Sequence, residues 1–400
     1  MEKVSLNSTF SEATTKNANI FLSVNLLNIS NVISYSNGSC LALLENVTHK
    51  WTGPNSTLDN IQVQRSSPII SDALRDIILT VNLAVLCQFV SLAGVVVSIL
   101  NICVFVKQGL GDALNVTLAG LAFADLCMVI FASWMCLCCN PLFASLDLPF
   151  SPIQFVYLTA SLPRLTCSRV SSWILAFASV ERCLCIMKPL AFKSIITPRR
   201  SLAFIVVTYV VMTASVLPLY YTTRLVWSHD PARNKSIVSL AFTSDRFAVD
   251  NYVFGIGVFL SVVSFLGVSI CTSLLVWSLK KKRKWRETTV VGIATGNHLP
   301  LVSYRNKRVG KMISIVSILF LVCYTPNTAS QLLTALVQDF AKNGDQINAG
   351  QVFWSFGILL ECINATVSIV IYFKISSRFR STLLAMFKRK PRPACIVRAF

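Results

Sequence analysis

Residues 179–200 read SVERCLCIMKPLAFKSIITPRR. They complete an apolar run, SSWILAFASV (171–180), and turn abruptly to an acid beside a base, Glu181 and Arg182, followed by Lys188, Lys193, Arg199 and Arg200. Charge is costly inside a bilayer, and short cytoplasmic loops collect lysine and arginine. The stretch therefore reads as a helix leaving a membrane on its inner side. An adjacent acid and base at that boundary can hold each other in one state and part in another, which is the logic of a switch.

Composition supports a membrane chain. Of 400 residues, 54% are hydrophobic and 13% charged, against roughly a quarter charged in an ordinary soluble domain. A helical crossing takes about 20 apolar residues, and blocks of that kind recur at 77–106, 113–139, 153–180, 201–223, 252–279, 312–338 and 347–373. The first and fifth carry no charged residue; the third carries Arg164 and Arg169, and the seventh Glu361. The expected fold class is an all-α membrane protein, a bundle of seven transmembrane helices.

Orientation follows from the loops. Residues 280–311 hold ten bases against one acid, and eight bases with no acid follow Glu361. This places the N-terminus outside and the C-terminus in the cytoplasm of a multi-pass plasma-membrane protein. The tail agrees: Asn7, Asn28, Asn37, Asn46 and Asn55 each begin an N-x-S/T sequon, a glycan acceptor only on the outer side. The start MEKVSLNSTF is polar, so no cleavable signal peptide is expected and the first span serves as its own insertion signal. Three regions result: an extracellular, glycosylated and disordered tail (1–72), the membrane bundle (73–374), and a cytoplasmic amphipathic helix with a basic tail (375–400).

The net charge of +19 is an effect of topology. Most of the bases lie on the inner loops and tail, where they meet anionic membrane lipids, so no nucleic-acid partner is needed. Most of the 14 cysteines fall within spans, where a free thiol behaves as a small apolar side chain. With three histidines in the chain and no cysteine pair at metal spacing near them, no metal site and no catalytic site is expected.

Seven spans with Glu181-Arg182-Cys183 closing the third resemble the rhodopsin-like (class A) G-protein-coupled receptors, whose third helix ends in Asp/Glu-Arg-Tyr. Further residues carry the likeness: Asn101 in SILNICVF, Asp125 in LAGLAFADLC, Phe320 with Cys323, Tyr324 and Pro326 around CYTP, and Tyr372 closing NATVSIVIY. The run FKISSRFRSTLLAMFKRK resembles the family's short amphipathic eighth helix. Within the family, the stretch from Trp173 to Arg200 is most similar to invertebrate orphan receptors of the chemosensory or peptide-receptor kind. The resemblance implies a receptor with no enzymatic activity that senses an extracellular peptide or small molecule and activates a heterotrimeric G protein. It implies a switch at Glu181, Arg182, Cys183 and Tyr372, a helix-six hinge at Phe320, Cys323, Tyr324 and Pro326, and an anchor at Asn101. It also implies an internal sodium ion at Asp125, Ser171, Asn364 and Ser368, for which a cluster of hydrogen-bonded polar groups is the alternative.

Several positions depart from the family. Its tether between the third helix and second outer loop is missing at both ends, since Tyr157 takes one cysteine position and 219–251 contains none. Tyr324 replaces the sixth helix's tryptophan, Ser368 and Ile369 replace the seventh helix's Asn-Pro, and the fourth and fifth helices lack their usual tryptophan and proline. A receptor that folds but couples poorly stays open as an alternative, as does a transporter or channel. A retinal pigment would carry a lysine deep in span seven, and 347–373 has none.

Arg164 lies five helical turns, about 27 Å, from Arg182 on the same face. It opens towards the outer side, with Glu361 as the obvious partner. Two roles compete for Arg164 and Glu361: a structural ion pair, or a site for the anionic group of a ligand. Arg169 and Pro163 fit none of these patterns.

Overall fold

The computed structural model describes residues 69–187, 194–230, 234–290, 301–336 and 346–387. The five N-terminal sequons and the basic C-terminal tail lie outside them. Seven helices are long and apolar enough to cross a membrane: α1 (Asp72–Lys107), α2 (Ala113–Cys138), α3 (Gln154–Met187), α4 (Pro198–Tyr221), α5 (Arg246–Val290), α6 (Leu301–Leu336) and α7 (Ile347–Ile375). A short α8 (Ser377–Phe387) follows.

The helices overrun the apolar blocks at several ends. The first begins at Asp72 rather than 77 because Ser71 caps it, its hydroxyl accepting the Leu74 N–H at 3.4 Å. Helix α5 starts at Arg246 rather than 252, and α6 at Leu301 rather than 312. Hydropathy marks where lipid begins, whereas the backbone ladder continues into water through charged residues. Both α1 and α3 contain a π-helical stretch, at Thr80–Cys87 and Tyr157–Ser161, which rotates the outer part of each helix relative to the inner part.

The all-α bundle carries one addition, a pair of short strands between two of its helices. Residues Thr223–Asp230 (β1) and Lys235–Phe242 (β2) form an antiparallel hairpin between α4 and α5. Its turn includes Asn234 at φ 48°, a left-handed conformation that asparagine tolerates better than most residues. The sequence signal was present as two β-branched and aromatic runs flanking Asp-Pro-Ala-Arg-Asn.

Helix α3 occupies the centre, packing against α2, α4, α5 and α6. Its buried Val170, Ile174 and Leu175 meet Val268 of α5 and Ile313 and Phe320 of α6 in one apolar core. Lipid-facing surfaces stay apolar, as at Phe89 on α1 and Val207 and Val210 on α4, all exposed in the isolated chain. Helix α8 buries Phe379 and Leu383 against the bundle. Phe379 packs on Phe105 and Tyr372, with ring centroids 5.5 Å from each.

Candidate functional site

A cavity of about 90 Å³ opens among α3, α5, α6 and α7, in the half of the bundle nearer the β1–β2 hairpin. Tyr157, Arg164 and Arg169 contribute from α3, Phe254 from α5, Asn327 from α6 and Trp354 from α7. Arg164 Nη1 donates to Glu361 Oε2 at 2.6 Å, with both side chains almost fully buried. The other carboxylate oxygen, Oε1, accepts from Asn327 Nδ2 at 2.5 Å. One carboxylate thus joins three helices, and its second donor, Asn327, escaped the sequence reading. Asparagine after a helix proline carries no signature of its own.

That junction sits on the kink. Asn327 directly follows Pro326, which lies inside α6 and removes one backbone hydrogen bond there. Gly357 of α7 lets the two helices approach: a Cβ at that position would lie 3.3 Å from Asn327 Cβ and 3.4 Å from its Cα. Ahead of Pro326 on the same helix, Phe320 stacks on Tyr324 with ring centroids 3.9 Å apart, while Cys323 is buried beside them.

At the opposite end of α3, Glu181 is fully buried and its Oε1 accepts from Ser201 Oγ of α4 at 2.8 Å. The acid of the Glu181-Arg182 pair is thus tied to a second helix. Arg182 is buried as well. Cys183 donates its thiol to the Cys271 carbonyl of α5 at 3.1 Å, so the residue replacing tyrosine packs against the fifth helix. Ser179 and Ser317 hydroxyls meet at 3.0 Å between α3 and α6. Arg308, in the N-terminal part of α6, donates Nε to the Ile375 carbonyl at 2.5 Å and Nη1 to Ser377 Oγ at 3.2 Å. These two bonds hold α6 against the α7–α8 corner.

The family model for the seven-transmembrane receptors of the rhodopsin family matches residues 95–372. The chain belongs to the rhodopsin family of seven-transmembrane receptors. It is 25% identical over 342 residues to a blue-sensitive opsin of Oryzias latipes, covering 82% of this chain and 88% of the opsin. It is also 25% identical over 299 residues to neuropeptide receptor 22 of Caenorhabditis elegans, covering 71% of this chain and 64% of that receptor.

In this rhodopsin-family receptor the polar core divides in two. Ser171 Oγ donates to Asp125 Oδ1 at 2.6 Å. Separately, Asn101 Nδ2 donates to Ser368 Oγ at 3.1 Å, and that serine donates onward to the Ala365 carbonyl. Asn364 is buried with its Oδ1 unpartnered among the described residues. Ser368 is thus committed to α1, while Asp125, Ser171 and the Asn364 oxygen are the donors that suit a hard cation.

The receptor also replaces the missing tether. Twelve cysteines lie among the described residues and all are free. At the Tyr157 position, the hydroxyl accepts from Arg246 Nη2 at 2.5 Å, and the guanidinium carbon stands 5.2 Å from the ring centre. Arg246 also pairs with Asp250 at 3.0 Å and donates Nη1 to the Leu219 carbonyl at 2.7 Å. It therefore joins α3, α4 and the start of α5. The hairpin docks independently: Val238 N donates to the Pro149 carbonyl at 2.9 Å and Leu240 N to Gln154 Oε1 at 3.1 Å.

Proposed function

We propose that this receptor spans the plasma membrane with its N-terminus outside, senses an extracellular peptide or small anionic molecule, and activates a heterotrimeric G protein at its inner face. The observation that carries this reading is the link from cavity to hinge. Arg164 lines the outer cavity, Glu361 bridges it to Asn327, and Asn327 adjoins Pro326. A ligand that disturbs the carboxylate's two bonds changes the contact holding α6 to α7 at its weakest backbone point. The inner part of α6 then leaves the α7–α8 corner, uncovering Arg182 and Cys183 for the G protein. Nucleotide chemistry belongs to that partner, and the receptor supplies only the change of shape.

A sodium ion held by Asp125, Ser171 and Asn364 is part of the same reading. Its positive charge would offset the buried Asp125 carboxylate.

The test is signalling in cells carrying a promiscuous G protein, with calcium as the readout and a panel of anionic metabolites and peptides outside. Arg182→Ala is expected to abolish the response while surface expression persists. An unchanged response in that variant would overturn G-protein activation through this face.

A further inference from the structure

Arg169 is the charge that the receptor mechanism leaves unused. It is only 6% exposed, and its Nε and Nη1 have no hydrogen-bond partner among the described residues. No carboxylate there lies within ion-pair distance of it: Glu361 is taken by Arg164, Asp250 pairs with Arg246, and Asp125 accepts from Ser171. The outer cavity therefore holds one positive charge in excess. The guanidinium also occupies a place that α5 leaves for it, since a Cβ on Gly257 would fall 2.0 Å from Nη2 and 2.6 Å from Cζ. Arg169 lines both the outer cavity and a smaller one beneath it, towards Phe320 and Tyr324.

We propose that Arg169, rather than Arg164, is the anion anchor of the outer cavity, and that its ligand is a compact monocarboxylate. This rests on reading the cavity as the ligand site. An unpaired buried cation is unfavourable in the free receptor, so a single negative charge gains more here than at the already neutralised Arg164. A planar guanidinium suits a planar carboxylate. One water needs roughly 10–15 Å³ on the same measure, so the cavity of about 90 Å³ takes a molecule of no more than about ten non-hydrogen atoms. Bound there, the carboxylate sits above the Phe320–Tyr324 stack, next to the hinge.

The test is the thermal unfolding of purified full-length receptor, followed with a thiol-reactive dye. Sodium acetate, propionate and lactate are compared with sodium chloride at equal ionic strength. At least one carboxylate is expected to raise the wild-type midpoint by about 3 °C or more. In Arg169→Gln the rise disappears, and the midpoint in chloride equals or exceeds that of wild type, because the variant removes an unpaired buried charge. Gly257→Ala, which displaces the guanidinium, also loses the rise. Equal stabilisation by chloride, no stabilisation by any of the three carboxylates, or an Arg169→Gln midpoint well below wild type overturns the proposal. The assay contains no G protein, so its failure is separate from a failure of Arg182→Ala to silence signalling.

A second site rests on a different observation. We infer that Asn234 is glycosylated. It begins the sequence Asn-Lys-Ser, is exposed with Lys235 and Ser236, and stands at the turn of the β1–β2 hairpin. With the N-terminus outside, that hairpin is extracellular, where the sequon meets the glycan-transfer machinery. Glycosidase treatment of a variant with Asn7, Asn28, Asn37, Asn46 and Asn55 changed to Gln is expected to leave one mobility shift, lost on further Ser236→Ala. No shift in the five-site variant overturns the assignment. Wild-type shifts, read in parallel, report the orientation itself.

Discussion

Glu361 accepts hydrogen bonds from Arg164 and Asn327 while fully buried. Breaking such a pair from one side strands the other charge, at a cost of about 3–5 kcal/mol. Arg164→Met alone is therefore expected to lower the unfolding midpoint strongly. Arg164→Met with Glu361→Leu should recover most of it, because the pair's desolvation and attraction largely offset each other. Midpoints of the two variants measured side by side check this. At Gly357, an added methyl would lie 3.3 Å from Asn327 Cβ, so that side chain must give by a few tenths of an ångström. Overpacking of this kind costs about 1–3 kcal/mol. Gly357→Ala is expected to reduce stability and raise ligand-independent signalling, as measured by nucleotide exchange on the G protein.

The elements differ in how their ends are secured. Arg246 ties α5 to Tyr157 of α3 and to the last turn of α4, where relatives of this family resemblance carry a covalent bridge. Its guanidinium satisfies a buried carbonyl, a phenol and a carboxylate together. Arg246→Ala removes all of these bonds at once, and a fall in surface expression and a midpoint several degrees lower are expected. A reducing agent should leave the wild-type midpoint unchanged, since no described cysteine is bridged. At the other end, Arg308 bonds the α7 carboxyl-terminal carbonyl and Ser377. Arg308→Ala removes both and is expected to raise basal nucleotide exchange by severalfold, with little change in midpoint.

Across the whole molecule, the receptor is one central helix, α3, surrounded by partners that report to it at different depths. Along α3 from its N-terminal end, Tyr157 meets Arg246, Arg164 meets α7, Ser179 meets α6 and Glu181 meets α4. A sodium ion at Asp125 would add one more tie at mid-depth. Sodium replaced by N-methylglucamine at constant ionic strength is expected to lower the wild-type midpoint, and Asp125→Asn to abolish the difference.

The seven spans were legible in the sequence because a bilayer imposes one length and one polarity on every crossing. That Pro326 falls inside a span was legible too, and its missing N–H is a local property. Arg164 and Glu361 could be paired in advance only as an expectation, since two opposite charges in one hydrophobic layer need each other. What the tertiary structure decided were the contacts between residues distant along the chain: Asn327 on Glu361, Ser201 on Glu181, Arg246 on Tyr157, and the splitting of Ser368 from Asp125. It also separated two arginines that look alike in the sequence. Arg164 faces a carboxylate, and Arg169 faces a glycine. Composition and periodicity report a residue's solvent, lipid or water, but a buried charge is decided by which side chain a neighbouring helix happens to place opposite it.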